Sequence, residues 1–562
     1  MYLWLLLCVC ALARAQDGPS VNTTQGVVVG NVVNANHIAF YGIPYAGSTA
    51  GENRFKAPVP APNFPGVFHA IENNVICAQP SPRGLIGVED CLKLNIHTKN
   101  LTTPKPVLVW IQGEDFTSYN TGTYSYDRLV QSDLVVVSMN YRLSIFGFLC
   151  LGVPEAPGNA GLKDIVQGLK WIQANIAGFG GNPDNVILMG HGSGAAMVDL
   201  ITLSPLATGL IHKAMALSGS GLAPWAIAYD PIGHAKAVGD KLGYTDKERE
   251  DLAKLLTTTE LNVLESALHD FEFPNNTVLF GPCIEDATLN PNDTFLADNP
   301  INLIRAGNYS DIPYIGANTN REGSIRAEQA AFRQWLERMQ ANFTEFIQVD
   351  LNFASADNAT TVVNSIREFY FAQRPINMET IEDFLNYMGD TIILVPVIRH
   401  ARERALRSRS EVRLFEFAYR GTLNSDWPFT QIPLKGVKHG GILNYLFDFD
   451  LKASDAIVRD TLLRRVQAFA YTGNPTPEGG SFTTWLPVTA TPHVLYISGE
   501  EVAPEQTIFK EEIRVNLNQE EMNFWNALYD RYYLPPRPVS SAGKLTFLSA
   551  LILVSQFIVR LF

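Results

Sequence analysis

The chain has 562 residues, of which 46% are hydrophobic and 18% charged. That balance supplies a core and excludes a disordered, collagen-like or low-complexity chain. Acidic residues outnumber basic ones 56 to 43, a net charge of −13, so the basic field of a nucleic-acid binder is missing. Six cysteines are too few to hold a chain of this length as a disulfide scaffold.

In chain order, residues 1–15 (MYLWLLLCVCALARA) come first. An apolar run ends in the small-x-small pattern Ala13-Arg14-Ala15. Although a basic leading segment is missing, this reads as a secretory signal peptide, which removes Cys8 and Cys10 from the mature protein. Further on, residues 107–111 (VLVWI), 134–139 (LVVVSM), 186–189 (VILM) and 214–217 (AMAL) read as buried strands. Between the second and third, Leu162, Ile165, Val166, Leu169, Trp171, Ile172 and Ile176 recur at helical spacing. Strand-helix-strand alternation predicts a large, mostly parallel sheet flanked by helices. Length alone would allow three or four domains, but no repeat or long linker divides residues 16–534, so one domain is expected there.

The ends carry the address. Residues 535–544 read as an extended stalk, opened by Pro535 to Pro538 and closed by the small residues Ser540, Ser541, Ala542 and Gly543. Residues 545–562 form a terminal apolar tail. Small residues before such a tail predict a GPI-attachment signal, with Ser540 and Ser541 as attachment candidates. The rival is a short membrane span interrupted by Ser555, Gln556 and Arg560. Either places the protein, by way of the secretory pathway, on the extracellular face of the plasma membrane. Asn22, Asn100, Asn275, Asn292, Asn308, Asn342 and Asn358 each begin an N-x-S/T triplet without proline, which predicts surface glycosylation.

Ordered motifs then accumulate. Phe40-Tyr41-Gly42-Ile43-Pro44-Tyr45-Ala46 is followed by Glu89-Asp90-Cys91-Leu92-Lys93-Leu94-Asn95, Asn140-Tyr141-Arg142, Phe179-Gly180-Gly181-Asn182-Pro183 and Thr472-Gly473-Asn474-Pro475. This series resembles the type-B carboxylesterase and cholinesterase family over residues 25–530, nearly the whole mature chain. The resemblance implies a single-domain α/β-hydrolase fold and a disulfide between Cys77 and Cys91. Closing a loop of that size stabilises by ~3 kcal/mol in the chain-entropy view. Cys150 and Cys283 are left either to pair or to stay buried as thiols.

An esterase of this kind needs a nucleophile elbow G-x-S-x-G, a histidine base, an acid that orients it and an oxyanion hole. Here the elbow reads Gly190-His191-Gly192-Ser193-Gly194. Gly192 stands where the serine hydroxyl belongs, and a glycine cannot attack a carbonyl. Ser193 lies one residue too late and falls at the position whose backbone amide serves the oxyanion hole. The resemblance makes Glu322, in Asn320-Arg321-Glu322-Gly323-Ser324, the acid. It makes His439, in Gly436-Val437-Lys438-His439-Gly440, the base. Both are expected as inherited parts without a nucleophile.

The family's glycine-rich oxyanion loop is here Gln112-Gly113-Glu114-Asp115-Phe116. Glu114 and Asp115 add carboxylates beside the place of the developing oxyanion. One such charge at ~4 Å opposes it by ~4 kcal/mol at an effective dielectric of 20, while a good donor there contributes ~3–4 kcal/mol. Cholinesterase activity meets a third obstacle. Residues 78–90 (AQPSPRGLIGVED) lack the tryptophan that holds a quaternary ammonium group in the cholinesterases.

The residues contain no metal-ligand cluster, phosphate-binding loop or dinucleotide fingerprint, so no metal or cofactor is expected. The expected function is therefore a catalytically inactive, carboxylesterase-like cell-surface glycoprotein. By resemblance to the family's cholinesterase-like adhesion members, it would act in protein binding, adhesion or receptor recognition. Its expected partners are an extracellular protein and, through the C-terminal anchor, the membrane, with no nucleic acid. The alternatives are a residually active ester hydrolase and a non-hydrolysing binder of a small hydrophobic ligand.

Overall fold

A computed structural model describes residues 18–539, apart from 114, 120–123, 246–247, 270, 425–428, 430–431, 433, 448–452 and 504–505. The predicted leader, Ser540, Ser541 and the apolar tail lie outside the described residues. Among the described residues, no helix is long and apolar enough to cross a membrane.

Eleven strands form one large mixed sheet. They are β1 (Asn31–Asn34), β2 (His37–Pro44), β3 (Lys93–Thr98), β4 (Lys105–Ile111), β5 (Val135–Met139), β6 (Gly181–His191), β7 (Lys213–Leu217), β8 (Tyr314–Thr319), β9 (Val412–Ala418), β10 (His493–Ala503) and β11 (Gln506–Val515). Across the sheet the order is β11-β10-β9-β8-β7-β6-β4-β5-β3-β2-β1. The centre, from β10 to β5, is parallel throughout. Antiparallel strands finish both flanks, so the expected parallel sheet is the middle of a mixed one. A further small sheet of three strands lies near the N-terminus.

The four runs read as strands are β4, β5, β6 and β7, with β6 seven residues longer than its apolar run. Its extra residues, Gly181 to Asn185 and Gly190-His191, are polar, proline or glycine and carry no hydropathy signal. Alternation explains why the central strands are apolar throughout. Val107, Val109 and Ile111 of β4 pack into one core with Val186 and Leu188 of β6. Leu108, Trp110, Ile187 and Met189 point into a second core on the opposite face. A sheet covered on both faces has no polar side to show.

Helix α1 (Ala160–Asn175) packs into the first core through the apolar stripe read from the sequence. Helix α2 (Ser193–Leu203), buried along its full length, follows β6 directly. Helix α3 (Pro300–Ala306) and helix α4 (Val395–Ala405) add to the same side of the molecule, α5 (Ala453–Thr472) covers the second core, and α6 (Gln519–Tyr532) closes the chain.

Two covalent staples are present. Cys77 and Cys91 are bonded, as the resemblance implied, and Cys150 is bonded to Cys283, which resolves the open pair. The expected stalk is corrected in its first half. Instead of standing free, residues 535–539 run along the body. Val539 is buried beside the Cys150–Cys283 bridge, and its amide donates to the Ile284 carbonyl at 2.9 Å.

Candidate active site

The carboxyl ends of the parallel strands gather the site, as they do in open α/β sheets generally. Strand β4 runs into the loop at Gly113, β6 into Gly192, β7 into Ser218 and β8 into Glu322. The strand order reverses between β5, β4 and β6, the kind of switch point at which open α/β sheets place their sites, and β4 pairs with β6 up to Ile111 opposite Gly190.

The elbow keeps its shape. Gly192 has φ +59° and ψ −123°, a conformation that holds an ordinary residue at a cost of ~1–3 kcal/mol and suits glycine cheaply. Its amide donates to the Leu217 carbonyl at 3.0 Å, and its carbonyl accepts from Ala196 at 3.1 Å as α2 begins. Gly190 and Gly194 are needed for contact: a Cβ on Gly190 would lie 2.5 Å from the Gly194 carbonyl carbon. Ser193 is fully buried, and its Oγ accepts a hydrogen bond from the Phe116 amide at 3.2 Å. Its hydroxyl thus serves the β4 loop, and no hydrogen bond joins it to His439.

The β4 loop is pressed against the elbow. A Cβ on Gly113 would come within 1.9 Å of the Gly194 nitrogen, so glycine is fixed there by contact alone. Glu114 lies outside the described residues. Asp115 is exposed, and its Oδ1 accepts from the Thr117 amide at 3.0 Å. The opposing charge expected of Asp115 is therefore turned into its own loop and screened by water, a weaker effect than the sequence suggested.

The acid–base half is assembled in full. Glu322 Oε2 lies 2.6 Å from His439 Nδ1, while Oε1 accepts from Ser218 Oγ at 2.7 Å and from the Thr319 amide at 2.6 Å. The Glu322 residue is 4% exposed, so three donors hold a carboxylate that burial would otherwise disfavour. Ser324 Oγ accepts from the His439 amide at 2.8 Å. Together these orient the imidazole with Nδ1 toward the acid and leave Nε2 as the free nitrogen.

Two contributors went unassigned in the sequence. Ser218, within Ser218-Gly219-Ser220, is a second ligand to Glu322. Its hydroxyl is legible only once β7 is placed beside β8. His191 lies against His439, ring centroids 4.5 Å apart and planes tilted by 46°. Burial, reinforced by the nearby His439, holds its pKa well below the usual histidine value. Its Nε2 is buried without a hydrogen-bond partner.

The glycosylation candidates are all accessible: Asn22, Asn292, Asn308 and Asn342 are exposed, and Asn100, Asn275 and Asn358 partly so. Among the described residues no group of three or more His, Cys, Asp or Glu side chains is arranged to hold a metal ion.

The Carboxylesterase family model matches residues 17–525. Juvenile hormone esterase of Tribolium castaneum is 28% identical over 512 residues, covering 84% of this chain and 86% of the relative. Venom carboxylesterase-6 of Apis mellifera is 29% identical, over 84% of this chain and 88% of the relative. Bile salt-activated lipase of Rattus norvegicus is 27% identical, over 97% and 92%. The crystal structure of juvenile hormone esterase from Manduca sexta, with OTFP covalently attached, superposes with a TM-score of 0.79 at 25% identity. It covers 91% of this chain and 99% of that one.

Proposed function

The chain belongs to the carboxylesterase family, an α/β-hydrolase, and from that premise we propose that it has given up ester hydrolysis and acts as a binding protein at the cell surface. One observation carries the reading: the elbow residue from which a nucleophile would project is Gly192, and the neighbouring Ser193 hydroxyl is engaged by the Phe116 amide. Loss of a triad nucleophile lowers turnover by ~10⁶ in a protease precedent. The signal peptide, the seven accessible sequons and the apolar tail favour an extracellular, tethered location, and adhesion or receptor recognition is the role this leaves. A protein partner outside the cell follows from that role.

A second reading is favoured by the intact Glu322–His439 pair. With no serine present, His439 Nε2 could take a proton from a water standing at the vacated position as that water attacks an ester carbonyl directly. Residual catalysis of this kind needs no covalent intermediate.

Turnover of p-nitrophenyl butyrate by the full chain, purified in mild detergent, separates the two. The binding-protein reading expects a rate indistinguishable from the His439→Ala variant. A rate that His439→Ala abolishes establishes the second reading. Phosphatidylinositol-specific phospholipase C tests the tether: release from cells is expected, and retention favours the span.

A further inference from the structure

The chain is acidic as a whole, yet residues 399–413 (RHARERALRSRSEVR) hold six arginines. Folding sorts them. On α4, His400 and Arg404 face inward and are fully buried, Arg404 donating to Thr202 Oγ1 at 3.0 Å. Arg399, Arg402 and Glu403 lie on the opposite, outer face at helical spacing, followed by the exposed Leu406 and Arg407.

Neighbouring elements extend this face. Arg305 at the end of α3 donates to Glu403 Oε1 at 2.7 Å, and Arg407 donates to Glu403 Oε2 at 2.7 Å, so one carboxylate serves two guanidiniums. Arg409, 94% exposed, meets Asp311 at 3.2 Å. Arg305, Arg399 and Arg531 of α6 line a hollow of about 310 Å³, with Asp530 at its rim. Arg399 lies flat over Tyr529, 3.9 Å from the ring centre. Neither Arg399 nor Arg531 has an ion pair among the described residues. The ridge thus presents six guanidiniums against the carboxylates Glu403, Asp311 and Asp530, with the buried Asp350 close enough to Arg399 to feel its charge.

We propose that this arginine ridge, spanning the outer face of α4, the end of α3 and the C-terminal part of α6, binds a linear sulfated polysaccharide. Three features select that class. Guanidinium forks match the oxyanion geometry of sulfate and stay charged at every physiological pH. The ridge is an open line of charge and not a closed cavity, which suits a polymer, and the hollow gives one sugar-sized unit a seat. Tyr529, the buried ring of the hollow, is roofed by Arg399 at 3.9 Å, so that face is closed to the base stacking that single-stranded nucleic acid would use. The inference takes only the extracellular placement from the proposed function; a chain that hydrolysed esters would carry the same ridge.

The test is surface plasmon resonance of the full chain in mild detergent, at 0.15 M NaCl, against a heparin dodecasaccharide. Saturable binding is expected, weakened at least about tenfold for fully desulfated dodecasaccharide and for the Arg399→Gln/Arg407→Gln/Arg531→Gln variant. Because Arg399 packs on Tyr529, the exposed pair Arg407→Gln/Arg531→Gln is measured beside it, with a loss of about threefold expected. Removing three cations elsewhere, by Arg83→Gln/Lys254→Gln/Arg333→Gln, should leave affinity within about twofold. Absence of binding by the native chain, equal binding of desulfated heparin or of a twelve-residue poly-dT, or an equal loss in the distant variant would each overturn the proposal.

Discussion

Two strand ends, barely one strand apart in the sheet, have been treated differently. After β6 the backbone of a nucleophile elbow is complete and the side chain is gone. After β7 and β8 the side chains are complete: Glu322 still holds His439, Ser218 and the Thr319 amide. The difference follows from what each group supports. Position 192 has φ +59°, so glycine there relieves a backbone that would strain any other residue. Removing Glu322 would strand two buried donors, the Ser218 hydroxyl and the Thr319 amide, each at a cost of ~1–3 kcal/mol, and would free the partly buried His439 ring. On the proposed reading, the position that carries no structural burden is the one that changed, while Glu322 is kept by the groups it bonds.

Substitutions can break or sharpen this contrast. The largest effect belongs to the shared scaffold. Gly113→Ala drives a Cβ to 1.9 Å from the Gly194 nitrogen, and a loss of about 3 kcal/mol or outright failure to fold is expected, read by thermal melting of the purified chain. An unchanged melting temperature would show that the loop and elbow are not locked together. Next, Glu322→Ala should cost about 3 kcal/mol in urea unfolding for the donors it strands. A cost under half a kilocalorie would remove the structural reason for its survival.

Gly192→Ser follows, with a stability loss of ~1–3 kcal/mol from the strained φ. Ester turnover should stay far below that of an active relative, because the β4 loop still departs from the glycine-rich pattern. Turnover within about tenfold of such a relative would contradict this. Acid should weaken the fold through histidines that burial keeps neutral. The folded pKa of His97 is lowered to about 3 and that of His191 is well below normal, so below pH 6.5 the unfolded chain binds protons that the folded chain refuses. Their contribution is present above pH 6.5 and is lost as pH falls, by up to ~1.4 kcal/mol per unit for each group. Glu285, raised to about 6, acts in the opposite sense as it gains its proton. Urea melts at pH 7.5 and 5.5 should therefore show a shallower loss for His191→Asn than for the native chain. The smallest effect is Ser193→Ala, about 1 kcal/mol for the acceptor removed from the Phe116 amide, and an effect on turnover would expose a chemical role for that hydroxyl.

Much of this was legible in the sequence, for identifiable reasons. The central strands show because both their faces are buried, and the elbow and the segments around Glu322 and His439 show because the motifs that carry the resemblance are local. What escaped depends on proximity in space. Ser218 reaches Glu322 only across the β7–β8 pair, His191 reaches His439 only when residues 248 apart in sequence meet, and the Cys150–Cys283 bond closes a separation of 133 residues. The sequence shows the charge of Asp115 but not its direction, which a hydrogen bond from the Thr117 amide decides. The proline-rich segment read as a stalk is held by one buried valine, Val539, that composition could not distinguish from a linker residue.

The central claim, that no residue of this site serves as a nucleophile, is tested most directly by intact-mass measurement after exposure to a fluorophosphonate. The account predicts an unmodified chain even at prolonged exposure, with native protein and the Ser193→Ala variant giving the same mass. A stoichiometric adduct on Ser193 that His439→Ala prevents would contradict it.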